Sequence, residues 1–182
     1  MSPQGEEGPS RADARRTVER LVGTYADLVV RLSYARLGST HDAQDVCQTV
    51  FLKLLKLMDA GLASFADAEH EKAWVIRATV NACTDLQRSG WRTRVGSLDD
   101  PAEELVPPPE TAAQWDPLPG SSVLDAVNEL PPNYRTAIYL HYYEGYSTEE
   151  IARLTGDTVD TVRKHLSRGR AKLRDALEGE GV

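Results

Sequence analysis

Cysteine, phenylalanine and methionine are scarce in this 182-residue chain, with two of each, and aromatic side chains make up only 7% of it. Cys47 and Cys83 both lie in apolar-periodic stretches, which excludes a disulfide-stapled secreted scaffold and leaves the expectation of buried thiols in a reducing cytosol. Histidines stand only at positions 41, 70, 141 and 165, and with the cysteines they make no common zinc spacing. No run approaches the roughly 18 apolar residues that a membrane helix needs. Residues 1–16, MSPQGEEGPSRADARR, lack the apolar core of a secretory leader and read as a disordered tail. No segment alternates apolar and polar residues with a period of two, so strands are not expected. The pair His41-Asp42 suits a metal phosphohydrolase only with a second histidine upstream, and none precedes His41. With no convergent nucleophile or metal set, neither an enzyme nor a cofactor is expected.

What the chain does have is charge, unevenly placed. The net charge is -7, and 41% of residues are apolar. Residues 1–96 carry 13 basic and 12 acidic side chains, whereas residues 97–122 carry six acids and no base. That middle stretch, SLDDPAEELVPPPETAAQWDPLPGSS, also holds six of the ten prolines and shows no helical or strand period. It reads as a flexible acidic linker between two folded pieces, 17–96 and 123–178.

In the first piece, Val18, Leu21, Val22, Tyr25, Leu28, Val29 and Leu32 follow the three-and-four spacing of an amphipathic helix that stops at Gly38. Ser39 or Thr40 can cap a second helix with the stripe Ala43, Val46, Cys47, Val50, Phe51, Leu54 and Met58, ending at Gly61. A third helix, 71–89, places Val75, Ile76, Ala78, Val80, Ala82, Cys83 and Leu86 inward. The expectation is an all-α bundle. Asp42, Asp45, Gln48 and Thr49 share one polar face of the second helix beside Phe51 and Leu52, which on periodicity alone suits a solvated surface. Arg77, Asn81, Thr84 and Arg88 line one side of the third, and Arg92 and Arg94 then flank Trp91. Cations around a flat ring suit a single nucleic-acid strand, since they hold phosphate while the ring stacks on a base. A tryptophan closing a small core beside solubilising arginines fits the same pattern equally well.

The second piece is more explicit. Ser122 can cap a short helix that Pro131 and Pro132 end, and the next helix carries Tyr134, Ala137, Ile138 and Leu140 up to Gly145. Ser147 followed by Glu150 forms a capping-box pattern, and Gly156 supplies that helix's stop. A final helix from about Val159 turns Val162, Leu166, Leu173 and Leu177 inward. Helix, short glycine turn, helix is the layout of a helix-turn-helix. Its last helix holds RKHLSRGRAKLR, 163–174, six Lys or Arg and no acid in an acidic chain, which points to a polyanion. Thr161, Arg163, Lys164, Ser167 and Arg168 are the candidates for base edges or flanking phosphates, and Arg170, Lys172 and Arg174 for phosphates.

These blocks resemble bacterial sigma factors of the extracytoplasmic-function class. DAQDVCQTVFLKL (42–54) is similar to that family's polymerase-binding helix, with Asp45, Gln48 and Phe51 at its recurring spacing. KAWVIRATVNACTDLQR (72–88) resembles the helix that engages the melted -10 strand, and 130–174 resembles the -35-reading domain. The resemblance implies that Asp45, Gln48, Phe51 and Leu52 contact core RNA polymerase through its β′ and β subunits. It implies a flipped-base pocket formed by Asn81 with the loop Ser64, Phe65 and Asp67, with Arg77, Arg88, Trp91 and Arg92 along the strand. It implies promoter DNA as the ligand, a cytoplasmic location without membrane contact, and a separate anti-sigma factor as a further partner. Asp160 stands where the family usually has glycine. The alternative from another class is a stand-alone helix-turn-helix regulator with an N-terminal sensing or dimerisation bundle.

The linker length bears on this. As a coil, the 26 residues of 97–122 span about 28 Å, against roughly 70 Å for two sites two DNA turns apart. Stretched fully, they reach about 90 Å. The two pieces therefore need an external scaffold to reach both sites, and the free chain is expected to bind promoter duplex poorly.

Overall fold

The structure is a computed structural model that describes residues 11–96 and 126–179. Every regular element among the described residues is helical. Helices α1 (Arg11–Leu37), α2 (Thr40–Asp59) and α3 (Ala68–Gly96) form the N-terminal lobe. Helix α4 (Pro132–Ile138) runs into a π turn, Tyr139–Tyr143, and is followed by α5 (Thr148–Thr155) and α6 (Val159–Gly179). Ser122 lies outside the described residues, and only 126–128 of the helix assigned to it are seen.

The helix ends follow local chemistry. Gly38 closes α1 at φ 72°, a left-handed conformation that a side chain resists. Ser39 then caps α2, its hydroxyl accepting from Asp42 N at 3.2 Å. Asp67 caps α3, accepting from His70 N at 2.7 Å, so that helix starts earlier than its apolar stripe suggested. Ser147 and Glu150 complete the capping box of α5. Helix α1 begins at Arg11, and Ala14 is already buried, so residues 11–16 are part of the fold and not of a disordered tail.

Two apolar clusters hold the molecule. The first joins Leu21, Val29, Val46, Val50, Phe51, Leu54, Val75 and Cys83 of α1 to α3. The second joins Leu32, Ile76 and Val80 of the N-terminal lobe to Leu130, Ile138, Leu140, Ile151, Leu154, Val162 and Leu166. Helix α3 thus has two apolar faces. Val75 and Cys83 turn toward α1 and α2, while Ile76 and Val80 turn toward the C-terminal lobe, where both are almost fully buried.

The sequence expectations need two corrections at single positions. Val22 and Leu177 were placed inward but are 37% and 36% exposed, because each stands at the edge of its stripe. Ala78, Ala82 and Leu86 are half-buried at the rim of the first cluster.

Candidate nucleic-acid interface

Helix α6 starts on Thr158, whose hydroxyl accepts from Thr161 N at 3.2 Å and lies 2.8 Å from the Thr161 hydroxyl. Val162 and Leu166 anchor its inner face. Arg163, Lys164, Ser167, Arg168 and Arg170 are all exposed on the other side, and Thr161 is half-buried at the entry. Gly169 sits where α6 crosses α4: a Cβ there would stand 2.7 Å from Ile138 Cδ1 and 3.4 Å from Tyr134 Cβ. The close crossing sets the angle at which the basic face is presented. Nothing in the charge pattern marked Gly169 for that role.

The first turn of α6 is electrostatically occupied. Arg163 reaches Glu149 Oε1 of α5 at 3.3 Å and Asp160 Oδ1 at 3.5 Å. Asp160 therefore has a cation partner in its own helix. Glu149 is held below the usual carboxylate range by its own backbone N–H and by Thr148, with Arg163 adding to the effect. Arg170 donates to the Tyr142 hydroxyl at 3.4 Å and links the basic face to the π turn.

On α2, Asp45, Gln48 and Leu52 are exposed along one face, Leu52 at 50%. Phe51 is not on that face. It is 7% exposed and belongs to the first apolar cluster, which joins α1, α2 and α3. Any contribution it makes to that face is through packing. His41 Nδ1 lies 3.5 Å from Asp45 Oδ2.

On α3, Arg77, Asn81 and Arg88 are exposed. Asn81 lines an open cleft of about 430 Å³ shared with Asp45, Thr49 and Lys53 of α2 and Asp85 of its own helix. The loop residues assigned with it do not line that cleft. Phe65 packs edge-on against Trp74 at 5.9 Å and His70 at 5.6 Å, two helical turns or more before Asn81. Asp67 is engaged as the cap of α3, and Ser64 is exposed. Asn81 thus shares its cleft with Asp45 of α2, and none of the three loop residues lines that cleft. The backbone helix continues through Trp91 and Arg92, whose side chains lie outside the described residues.

The exposed residues assigned to the two N-terminal surfaces and to α6 can hold anionic polymer and a protein partner, and among the described residues no cluster suited to a metal occurs. Comparison with known proteins places the pattern. The Sigma-70 region 2 family model matches residues 21–93, and the Sigma-70, region 4 model matches 121–173. The ECF RNA polymerase sigma factor SigE of Mycolicibacterium smegmatis is 35% identical over 164 residues, covering 87% of this chain and 61% of that protein. The RNA polymerase sigma factor SigV of Bacillus subtilis is 28% identical, covering 84% of this chain and 86% of its own length. The chain therefore spans under two thirds of the mycobacterial relative. Among solved structures, the sigma factor RpoE in complex with the anti-sigma factor NepR from Bartonella quintana shares the fold with a TM-score of 0.68 at 21% identity, covering 90% of this chain and 98% of that one.

Proposed function

The chain belongs to the sigma-70 family of RNA polymerase sigma factors, in the extracytoplasmic-function class, and from that premise we propose how its surfaces divide the work of promoter recognition. It binds core RNA polymerase and directs initiation at promoter DNA, with no chemistry of its own; synthesis belongs to the polymerase. It acts in the cytoplasm, a reading consistent with the absence of any helix long and apolar enough to cross a membrane among the described residues.

Region 4, 123–178, enters the major groove of the -35 element with α6. Thr161, Lys164 and Arg168 face base edges, Arg163 and Ser167 serve base edges or phosphates at the flanks, and Arg170 meets phosphate. Region 2, 17–96, offers Asp45, Gln48 and Leu52 to the polymerase and Arg77, Asn81 and Arg88 to the melted -10 strand. The acidic segment 97–122 connects them. An anti-sigma factor is a fitting further partner, since the Bartonella relative is described in complex with one.

The single observation that carries this reading is the order of two family regions on one chain, with a basic α6 face on an acidic protein. A stand-alone regulator leaves 21–93 unexplained and is set aside. Reconstituted run-off transcription with core polymerase tests the proposal: starts dependent on this chain are expected, and their absence refutes it.

A further inference from the structure

Asp160 puts a carboxylate on the face of α6 that carries the cations for DNA. It is the second residue of that helix and the one acid in its first turn. It stands four and eight residues before Lys164 and Arg168, so the three share one side of the helix. Its side chain is 80% exposed. The helix end is capped by Thr158, whose hydroxyl accepts from Thr161 N, so Asp160 has no part in the cap. A negative group in that place opposes binding to a polyanion unless the DNA offers it a donor.

The neighbours of Asp160 orient its carboxylate and leave it open to a ligand. Arg163 Nη1 donates to Asp160 Oδ1 at 3.5 Å while Nη2 donates to Glu149 Oε1 of α5 at 3.3 Å, so one guanidinium ties two acids from two helices. All three side chains are more than half exposed. Such pairs contribute little in water, so a base edge can take the place of either partner. The N-terminal residues of a recognition helix are the ones that reach base edges. A carboxylate there accepts hydrogen bonds and donates none. Guanine O6 and N7 and thymine O4 are acceptors as well, and repel it. The exocyclic amines of cytosine and adenine can satisfy it, but adenine sets its N7 acceptor beside the amine and cytosine does not. The guanine paired with that cytosine presents O6 and N7, the acceptors that suit a guanidinium. The Asp160–Arg163 couple therefore matches a C·G pair, carboxylate to cytosine and guanidinium to guanine.

We infer that Asp160 is a specificity-determining residue of the -35 contact, accepting from the N4 amine of a cytosine whose paired guanine is taken by Arg163. The inference deepens the sigma-factor reading and rests on it, since that reading supplies the duplex. Holoenzyme assembled from core polymerase and the full chain tests it. Duplexes carrying one of the chain's own start sites, randomised across the -35 element, are selected by binding and the bound pool is sequenced. The wild type should prefer C·G about tenfold over the other pairs at one position. Asp160→Asn should change that position alone, and to A·T, because an amide pairs with adenine N6 and N7. Asp160→Ala should accept all four pairs there about equally. Asparagine keeps the shape of the side chain, and circular dichroism checks that the helices are retained. A wild type without the C·G preference, or an Asp160→Asn profile identical to the wild type, overturns the assignment. So does a uniform loss of affinity with unchanged base preferences, the result expected if Asp160 only holds Arg163. Wild-type holoenzyme that enriches no -35 sequence at all overturns the sigma reading, and the base assignment with it.

Discussion

Replacing Ile76 with alanine tests whether the lobes truly share a core. Ile76 is fully buried and sits in the cluster that joins α3 to the C-terminal lobe, whereas its neighbour Val75 is equally buried in the cluster confined to α1–α3. Removing three carbons from Ile76 forfeits about 2.4 kcal/mol of transfer free energy. The cavity left between rigid helices raises the loss to about 3–4 kcal/mol, which lowers Tm by about 10 °C in a chain of this size. Val75→Ala should cost about 2–3 kcal/mol by the same reasoning. The discriminating readout is amide hydrogen exchange in α5 and α6, followed by mass spectrometry. Ile76→Ala should accelerate exchange in both helices at temperatures where Val75→Ala leaves them protected relative to α1 and α2. Equal protection of α5 and α6 in the two variants would refute the shared core.

Other expectations follow from single sites. Gly169→Ala should be near neutral in thermal melts, since the helix gains about 1 kcal/mol while the flexible Ile138 Cδ1 yields; Gly169→Val should lose about 1–3 kcal/mol through overpacking at the α4–α6 crossing. Lys164→Ala should cost the holoenzyme about 1–3 kcal/mol of -35 binding and relax the sequence preference at the base pair it reads. Leu52→Asp should weaken core polymerase binding about tenfold or more in a pull-down titration, with the fold intact. Phe51→Ala should instead destabilise the lobe by about 3–5 kcal/mol in urea denaturation, because its ring is core. Burial pushes the Cys83 thiol and the Tyr139 phenol upward, so the folded chain retains protons that the unfolded chain releases. The stability these two groups contribute is therefore unchanged below about pH 9, where unfolded thiols ionise, and falls above it by up to about 1.4 kcal/mol per pH unit for each group once its unfolded form ionises. A melting temperature that rises from pH 9 to 11 would contradict the assignment.

The sequence was most legible where a single residue type has one local use. Gly38, Gly61, Gly145 and Gly156 all adopt positive φ at the helix ends they were assigned, and the Ser147–Glu150 box forms as written. The basic face of α6 was equally plain as a charge pattern, with six cations and no acid between Arg163 and Arg174 of an acidic chain. Tertiary partners were less legible. Ile76 and Val80 read as ordinary core positions, and periodicity could not say that their partners lie across the linker. Phe51 matched a recurring motif, yet the same aromatic character that suits a contact also suits the interior it occupies. That Asn81 shares a cleft with Asp45 depended on how α2 and α3 pack, which no local pattern records. Asp160 drew notice only as a departure from the family's usual glycine, and only the fold showed Arg163 bridging it to Glu149.

The most direct measurement is transcription by core polymerase on genomic fragments, with and without this chain, mapping the 5′ ends of the products. The account predicts new starts, each preceded by the same pair of elements about two DNA turns apart, that disappear when Lys164 and Arg168 are both replaced by alanine. Starts unchanged by adding the chain, or tight sequence-specific duplex binding by the chain without polymerase, would contradict it.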